Sequence, residues 1–158
     1  MVTTSAKRPR RADAPQPGEL SELAAQLRLV ITRTARRLRQ EAGTNLGPSQ
    51  TAALATIERH GPLTPSELAD IERVQRPTAT RIVARLEEEG LVDRVADPVD
   101  RRSFTVAINS AGKALMQKLR TRKNAYLARR LRGLDPGDLA SLARSAEILE
   151  ALLEGDRR

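Results

Sequence analysis

The sequence predicts a mainly α-helical chain centred on a winged helix-turn-helix, with a small β-hairpin as the wing and a helical dimerisation region drawn from both chain ends. Three observations predict it. Apolar residues return at helical spacing along most of the chain. One helix so defined carries its apolar residues on one side and its arginines on the other. Two short alternating runs around a charged turn follow it at once, which is the pattern of a hairpin.

Residues 1–18 hold Lys7, Arg8, Arg10 and Arg11 among Pro9, Pro15, Pro17 and Gly18, the composition of a disordered basic tail. They lack the apolar core of a secretory signal, and no later stretch reaches the length of a membrane span. A cytoplasmic protein without a membrane partner is expected. From Glu19 to Ala42, Leu20, Leu23, Leu27, Val30, Ile31, Ala35 and Leu38 keep helical spacing until Gly43 and Asn45 break it. Residues 19–47 are therefore expected as an N-terminal dimerisation helix.

Residues 48–109 make up the winged unit. Pro48 opens a helix in which Ala52, Leu54, Ala55 and Ile57 are expected to pack, and Gly61-Pro62 stops it. The single histidine, His60, sits at that helix end and is expected to cap it or lie on the surface. Thr64, Pro65 and Glu67 then read as a cap, a first helical position and the far end of a capping box. Leu68, Ala69 and Ile71 are expected to pack against the helix that follows.

In that next helix Ala79, Ile82, Val83 and Leu86 form the buried stripe. Pro77, Thr80, Arg81 and Ala84 project from the opposite side, with Arg85 beside them and Arg76 on the flank. Small residues let the backbone approach a groove, and the planar fork of arginine bonds guanine O6 and N7 together or grips a phosphate. From Gln75 to Arg85 there are three arginines and no acid, whereas Glu87, Glu88 and Glu89 follow directly. A face that was merely solvated would have less reason to keep its signs apart. Gly90 suits the left-handed helix end. Leu91, Val92 and Val95 are expected in a first strand, and Phe104, Val106 and Ile108 alternate with Thr105 and Ala107 in a second. The turn between them carries Asp97, Pro98 and Asp100, with Arg101 and Arg102 at its tip.

These residues resemble the MarR family of bacterial transcriptional regulators. The resemblance rests on Pro77-Thr78-Ala79-Thr80-Arg81-Ile82-Val83-Ala84-Arg85-Leu86-Glu87, on Gly90-Leu91-Val92 with Arg94, on Asp97-Pro98 with Asp100-Arg101-Arg102, and on Ile108-Asn109-Ser110 with Gly112. Ser110 is taken to stand where the family usually has a capping Thr. The resemblance implies a homodimer that sets two reading helices in major grooves and two wings on the flanking minor grooves of a pseudo-palindromic duplex. It also implies repression, relieved by a small, often aromatic or phenolic, effector. Gln75, Arg76, Pro77, Thr78, Thr80, Arg81 and Arg85 are the expected DNA-binding residues of the helix, and Arg94, Asp100, Arg101 and Arg102 those of the wing. Arg81 is expected at base edges and Arg85 at phosphate. Asp100 is expected to orient Arg102 for a narrow minor groove.

Residues 110–158 complete the chain as C-terminal dimerisation helices. Ser110 is expected to cap a long helix carrying Leu115, Leu119, Tyr126, Leu127 and Leu131, and Asp135-Pro136 to start a last one with Leu139, Leu142, Ala143, Ala146, Leu149 and Leu153. The amphipathic helices outside the winged unit must bury their stripes, and a second copy is the economical cover.

The formal charge of +8 favours a polyanionic partner. Its distribution tempers the argument: residues 74–102 hold six basic and six acidic side chains, while residues 113–132 hold eight basic and no acidic ones. Some of that second group are expected to pair with Asp135, Asp138, Glu147, Glu150 and Glu154. One His, no Cys and no clustered metal ligands leave no nucleophile and base pair and no metal centre, so neither an enzyme nor a cofactor is expected. An RNA-binding module is the nearer alternative, but Phe104 and Tyr126 alone offer no stacking platform for bases. A winged helix used only for protein interaction is countered by the arginines of the reading face.

Overall fold

The computed structural model describes residues 17–96 and 104–155. Six helices and a hairpin follow in the order α1 (Pro17–Ala42), α2 (Pro48–His60), α3 (Pro65–Glu72), α4 (Arg76–Glu88), β1 (Val92–Ala96), β2 (Phe104–Ile108), α5 (Ser110–Leu131) and α6 (Pro136–Gly155). The basic tail through residue 16, the turn at 97–103 and residues 156–158 lie outside the described residues. Contacts divide the chain into two units, residues 1–37 and residues 38–158.

In the first unit α1 leaves Leu20, Leu23, Leu27, Leu29, Val30 and Ile31 all exposed. The second unit holds the core. Leu54 and Ile57 of α2, Leu68 of α3, Val83 and Leu86 of α4, Val106 of β2 and Leu119 of α5 are each at most 2% exposed and belong to one apolar cluster, in which α2 packs on both the hairpin and α5. Ala79, Val83 and Leu86 are buried and Ile82 is half-buried, as the stripe of α4 predicts. Two neighbouring expectations fail. Ile71 is 46% exposed, and Ala52 faces solvent while Ala53 is buried in its place. An eight-residue helix has little more than two turns, too few for spacing alone to fix its inner face.

Helix ends follow local chemistry. The Thr64 hydroxyl accepts from the Glu67 N–H at 3.2 Å and the Glu67 carboxylate accepts from the Thr64 N–H at 2.7 Å, which completes the capping box. Those bonds from the backbone and hydroxyl of Thr64 hold the Glu67 carboxyl below its ordinary pKa. At the end of α4, Gly90 takes φ +68° and returns its N–H to Glu87 at 2.8 Å, while Leu91 returns its own to Leu86 at 3.0 Å. Leu91 is thereby a buried helix-end residue and not part of the strand. Helix α3 ends with the same pair of bonds, Arg73 to Asp70 and Val74 to Ala69, but places Arg73 in the left-handed conformation at φ 52°.

The expected cap of α5 is displaced by one residue. Asn109, not Ser110, is the N-cap, and its Oδ1 accepts from the Gly112 N–H at 3.0 Å. Ser and Asn cap about equally well, so composition alone could not choose between neighbours. Helix α6 does start at Asp135-Pro136, with Asp135 Oδ1 accepting from the Asp138 N–H at 2.9 Å.

Strands β1 and β2 pair antiparallel with Val92 opposite Ile108 and Ala96 opposite Phe104. The segment before α3 joins them, for Leu63 and Val106 exchange both backbone bonds at 3.1 and 2.7 Å. The α2–α3 link therefore acts as a third rung on the hairpin root. Val95 is 52% exposed because β1 leaves the core at that point.

Candidate nucleic-acid interface

Helix α4 begins at Gln75, whose backbone is extended and whose side chain makes no capping bond. Pro77 occupies the first turn without an N–H, which the turn does not require. Gln75, Arg76, Pro77, Thr80, Arg81 and Arg85 are exposed, and Thr78 and Ala84 are half-buried. The Thr80 hydroxyl donates to the Arg76 carbonyl at 3.0 Å, which leaves its methyl and its oxygen lone pairs outward. Among the described residues the side chains of Arg76 and Arg81 have no ion-pair or hydrogen-bond partner. They stand ready for an anion or a base edge.

Two other expected residues are already engaged. Arg85 lies 3.1 Å from Glu88, on its own helix, and 2.7 Å from Glu89, at that helix's C-cap. Arg94 lies 2.8 Å from Glu87 and its guanidinium sits 4.5 Å from the centre of the Phe104 ring. The segregation of sign along α4 is thus partly undone in space, because the three glutamates fold back on arginines. Asp100, Arg101 and Arg102 fall in the turn outside the described residues. The structure therefore brings together Gln75, Arg76, Pro77, Thr78, Thr80 and Arg81 on one surface, and sets Arg94 at the wing root.

The basic run of α5 also resolves differently from expectation. Arg120 clamps Glu58 of α2 with two bonds of 2.7 and 3.1 Å, and Arg122 donates to the carbonyls of Ala42 and Gly43 at 2.8 and 3.1 Å. Arg129 lies 3.9 Å from Glu41. The acids of α6 were the expected partners, but the pairs that α5 makes with other helices among the described residues run to α1 and α2, and Arg144–Glu147 lies within α6. The Arg120 guanidinium lowers the pKa of Glu58 through its hydrogen bonds, against a smaller opposing effect of burial.

Sequence reasoning passed over one residue of the site. Asn109 Nδ2 donates to the Gly90 carbonyl at 3.0 Å and to the Asp93 carboxylate at 3.1 Å, so it touches the end of α4 and the root of the wing together. The signal lies in Asn109 itself, whose amide can accept and donate, whereas the expectation of a cap at Ser110 passes over it.

A capped first helix, a second helix with an open arginine face and a hairpin packed behind it define a winged helix-turn-helix of the DNA-binding type. The MarR family model matches residues 46–104. The chain is 34% identical over 135 residues to the HTH-type transcriptional regulator Mb0904 of Mycobacterium bovis, covering 85% of this chain and 94% of that one. It belongs to the MarR family of transcriptional regulators. A Pseudomonas aeruginosa crystal structure, 35% identical, superposes with a TM-score of 0.78 over 88% of this chain and 98% of its own. A MepR variant of Staphylococcus aureus bound to an oligodeoxyribonucleotide shares the fold at a TM-score of 0.65 and 17% identity, over 82% of this chain and 97% of that one.

Proposed function

We propose that the chain is a homodimeric, sequence-specific repressor, without enzymatic activity, that acts in the cytoplasm on a pseudo-palindromic operator. The observation that carries this reading is the outward face of α4, where Arg76 and Arg81 stand unpaired among the described residues beside Thr78 and Thr80. Placed in a major groove, Arg81 reads a base edge, while Arg76 and the uncapped first turn of α4 meet phosphate. Asp100, Arg101 and Arg102 carry the wing into the minor groove.

Dimerisation is supported by exposed apolar surface. Helix α6 leaves Leu139, Leu142, Ile148, Leu152 and Leu153 at 39–69% exposure, and α1 leaves six comparable side chains. Full burial of such a side chain stabilises by about 1.5–3 kcal/mol, and covering these half-exposed ones returns about half of that each, so a second copy of the same surfaces supplies the driving force. Among the described residues no helix is long and apolar enough to cross a membrane.

An effector site is supported by a cleft of about 230 Å³ lined by Gly43, Thr44, Asn45, Leu46, Glu89, Leu91 and Leu115. It is small enough for a single ring. Its one charged lining residue, Glu89, favours a neutral or cationic occupant, and because Glu89 also holds Arg85 an occupant reaches the end of α4 directly.

The test is selection from a randomised duplex pool, followed by affinity measurements over a range of salt and sedimentation of the free protein and the complex. A two-fold symmetric site bound by a dimer, with log K falling linearly in log salt, is the expected result. Equal affinity for every duplex, or a monomer on a single half-site, overturns the reading.

A further inference from the structure

We infer that Asn109 is the positioning residue of the wing, and that its side chain sets where the hairpin meets DNA. This rests on the DNA-binding reading above. Its Oδ1 takes the Gly112 N–H at the start of α5. Its Nδ2 gives one hydrogen to the Gly90 carbonyl, at the end of α4, and the other to the Asp93 carboxylate on β1. Its backbone N–H goes to the Leu91 carbonyl at 3.2 Å. One side chain therefore joins reading helix, wing and α5 with both its donors and its acceptor in use.

A cap alone does not call for this residue. Ser or Thr would accept from the Gly112 N–H, but neither can also donate twice, and Asp would cap while repelling Asp93. The joint is also tight. A Cβ on Gly112 would lie 2.2 Å from the Leu91 carbonyl oxygen and 2.6 Å from Ile108 Cγ1, so α5 begins in direct contact with the hairpin root. On its other face β1 is braced by Arg94, which spans to Glu87 and Phe104. Asp93 and Arg94 lie on opposite faces of one strand; Arg94 is tied to Glu87 of α4 directly, and Asp93 is tied to Gly90 through Asn109. A wing held at both faces of its root loses little orientational freedom on binding, which is where its contribution to affinity lies.

The experiment compares the wild type with Asn109→Thr, Asn109→Asp, Asp93→Asn and the exchange Asp93→Asn/Asn109→Asp. Each is measured on the duplex selected by the wild type, by affinity at fixed salt, hydroxyl-radical protection and thermal unfolding. Asn109→Thr keeps the cap, and its unfolding midpoint stays within about 4 °C of wild type, the scale of one lost hydrogen bond. It nevertheless loses protection at the flanks of the site, where the wing lies, and binds between about threefold and thirtyfold more weakly. Asn109→Asp loses more, because two carboxylates then face each other. The exchange restores a donor opposite an acceptor with the roles reversed, and flank protection returns in part. Asn109→Ser replaces the Thr variant if the added methyl prevents folding. Wild-type flank protection in the Thr or Ser variant overturns the inference, as does an exchange variant no better than Asn109→Asp. A wild type that selects no duplex fails the DNA-binding reading itself, and this inference falls with it.

Discussion

The guanidinium of Arg94 lies 2.8 Å from the carboxylate of Glu87, so the first strand of the wing is bolted to the last turn of α4. The same guanidinium covers the ring of Phe104 on the partner strand. Arg94 is thereby a brace inside the protein. Arg94→Ala should weaken operator binding while leaving the salt slope of log K as in the wild type, because no phosphate contact is removed. Both partners are about two-fifths exposed, so the loss of folding stability should stay near 1 kcal/mol. A slope reduced by about one would place Arg94 on a phosphate instead.

Arg81 and Arg85 should separate in a competition assay against singly mutated operators. Among the described residues Arg81 is unpaired, and Arg81→Ala should cost about 1–3 kcal/mol and relax discrimination at one operator position. Arg85 must leave Glu88 and Glu89 to reach phosphate. Arg85→Ala should weaken all sequences alike and lower the salt slope by about one. An equal loss on every sequence for Arg81→Ala would remove its reading role.

Arg73 occupies a helix end where glycine is at no disadvantage. The left-handed conformation costs an L-residue about 1–2 kcal/mol, partly offset by the greater unfolded-state freedom of glycine. Arg73→Gly should therefore raise stability by roughly 0.5–1 kcal/mol, a midpoint shift of about 2–4 °C at most. Thermal unfolding checks this, and a lowered midpoint would mean that the arginine side chain repays the strain.

Glu58 should make stability depend on pH in the acid range. Its pKa in the folded protein lies below the ordinary 4.5, so the stabilisation it gives is present above that value and is lost as pH falls through the folded-state pKa. In denaturant titrations the wild type should exceed Glu58→Gln at neutral pH, and the two should converge in acid. A difference that persists unchanged in acid would show that the bond to Arg120 does not depend on charge.

Local signals were the legible ones. The capping box of Thr64 and Glu67, the stripe of α4 and the left-handed Gly90 each depend on residues within a turn or two of each other, and each stands as read. What could not be read depends on which segments meet. The bridge between Leu63 and Val106 joins positions 43 apart in number, and nothing in either neighbourhood announces it. The pairing of Arg85 and Arg94 with glutamates is hidden for the same reason, because Glu87, Glu88 and Glu89 read as a separate block, although helix geometry returns Glu88 and Glu89 to Arg85. Likewise part of the basic run of α5 reads as paired with acids that follow it in sequence, while Arg120 and Arg129 reach back to Glu58 and Glu41.

Arg122 closes the end of α1 from 80 positions further along the chain. During synthesis the carbonyls of Ala42 and Gly43 must therefore wait for a segment not yet translated. Closing so long a loop costs about 4 kcal/mol, comparable with what two bonds from a charged donor return, so this clasp forms only once other packing has brought its ends together. It belongs to the last steps of folding. Arg122→Ala should accordingly leave the refolding rate close to wild type and quicken unfolding, making this clasp a determinant of how long the native protein lasts.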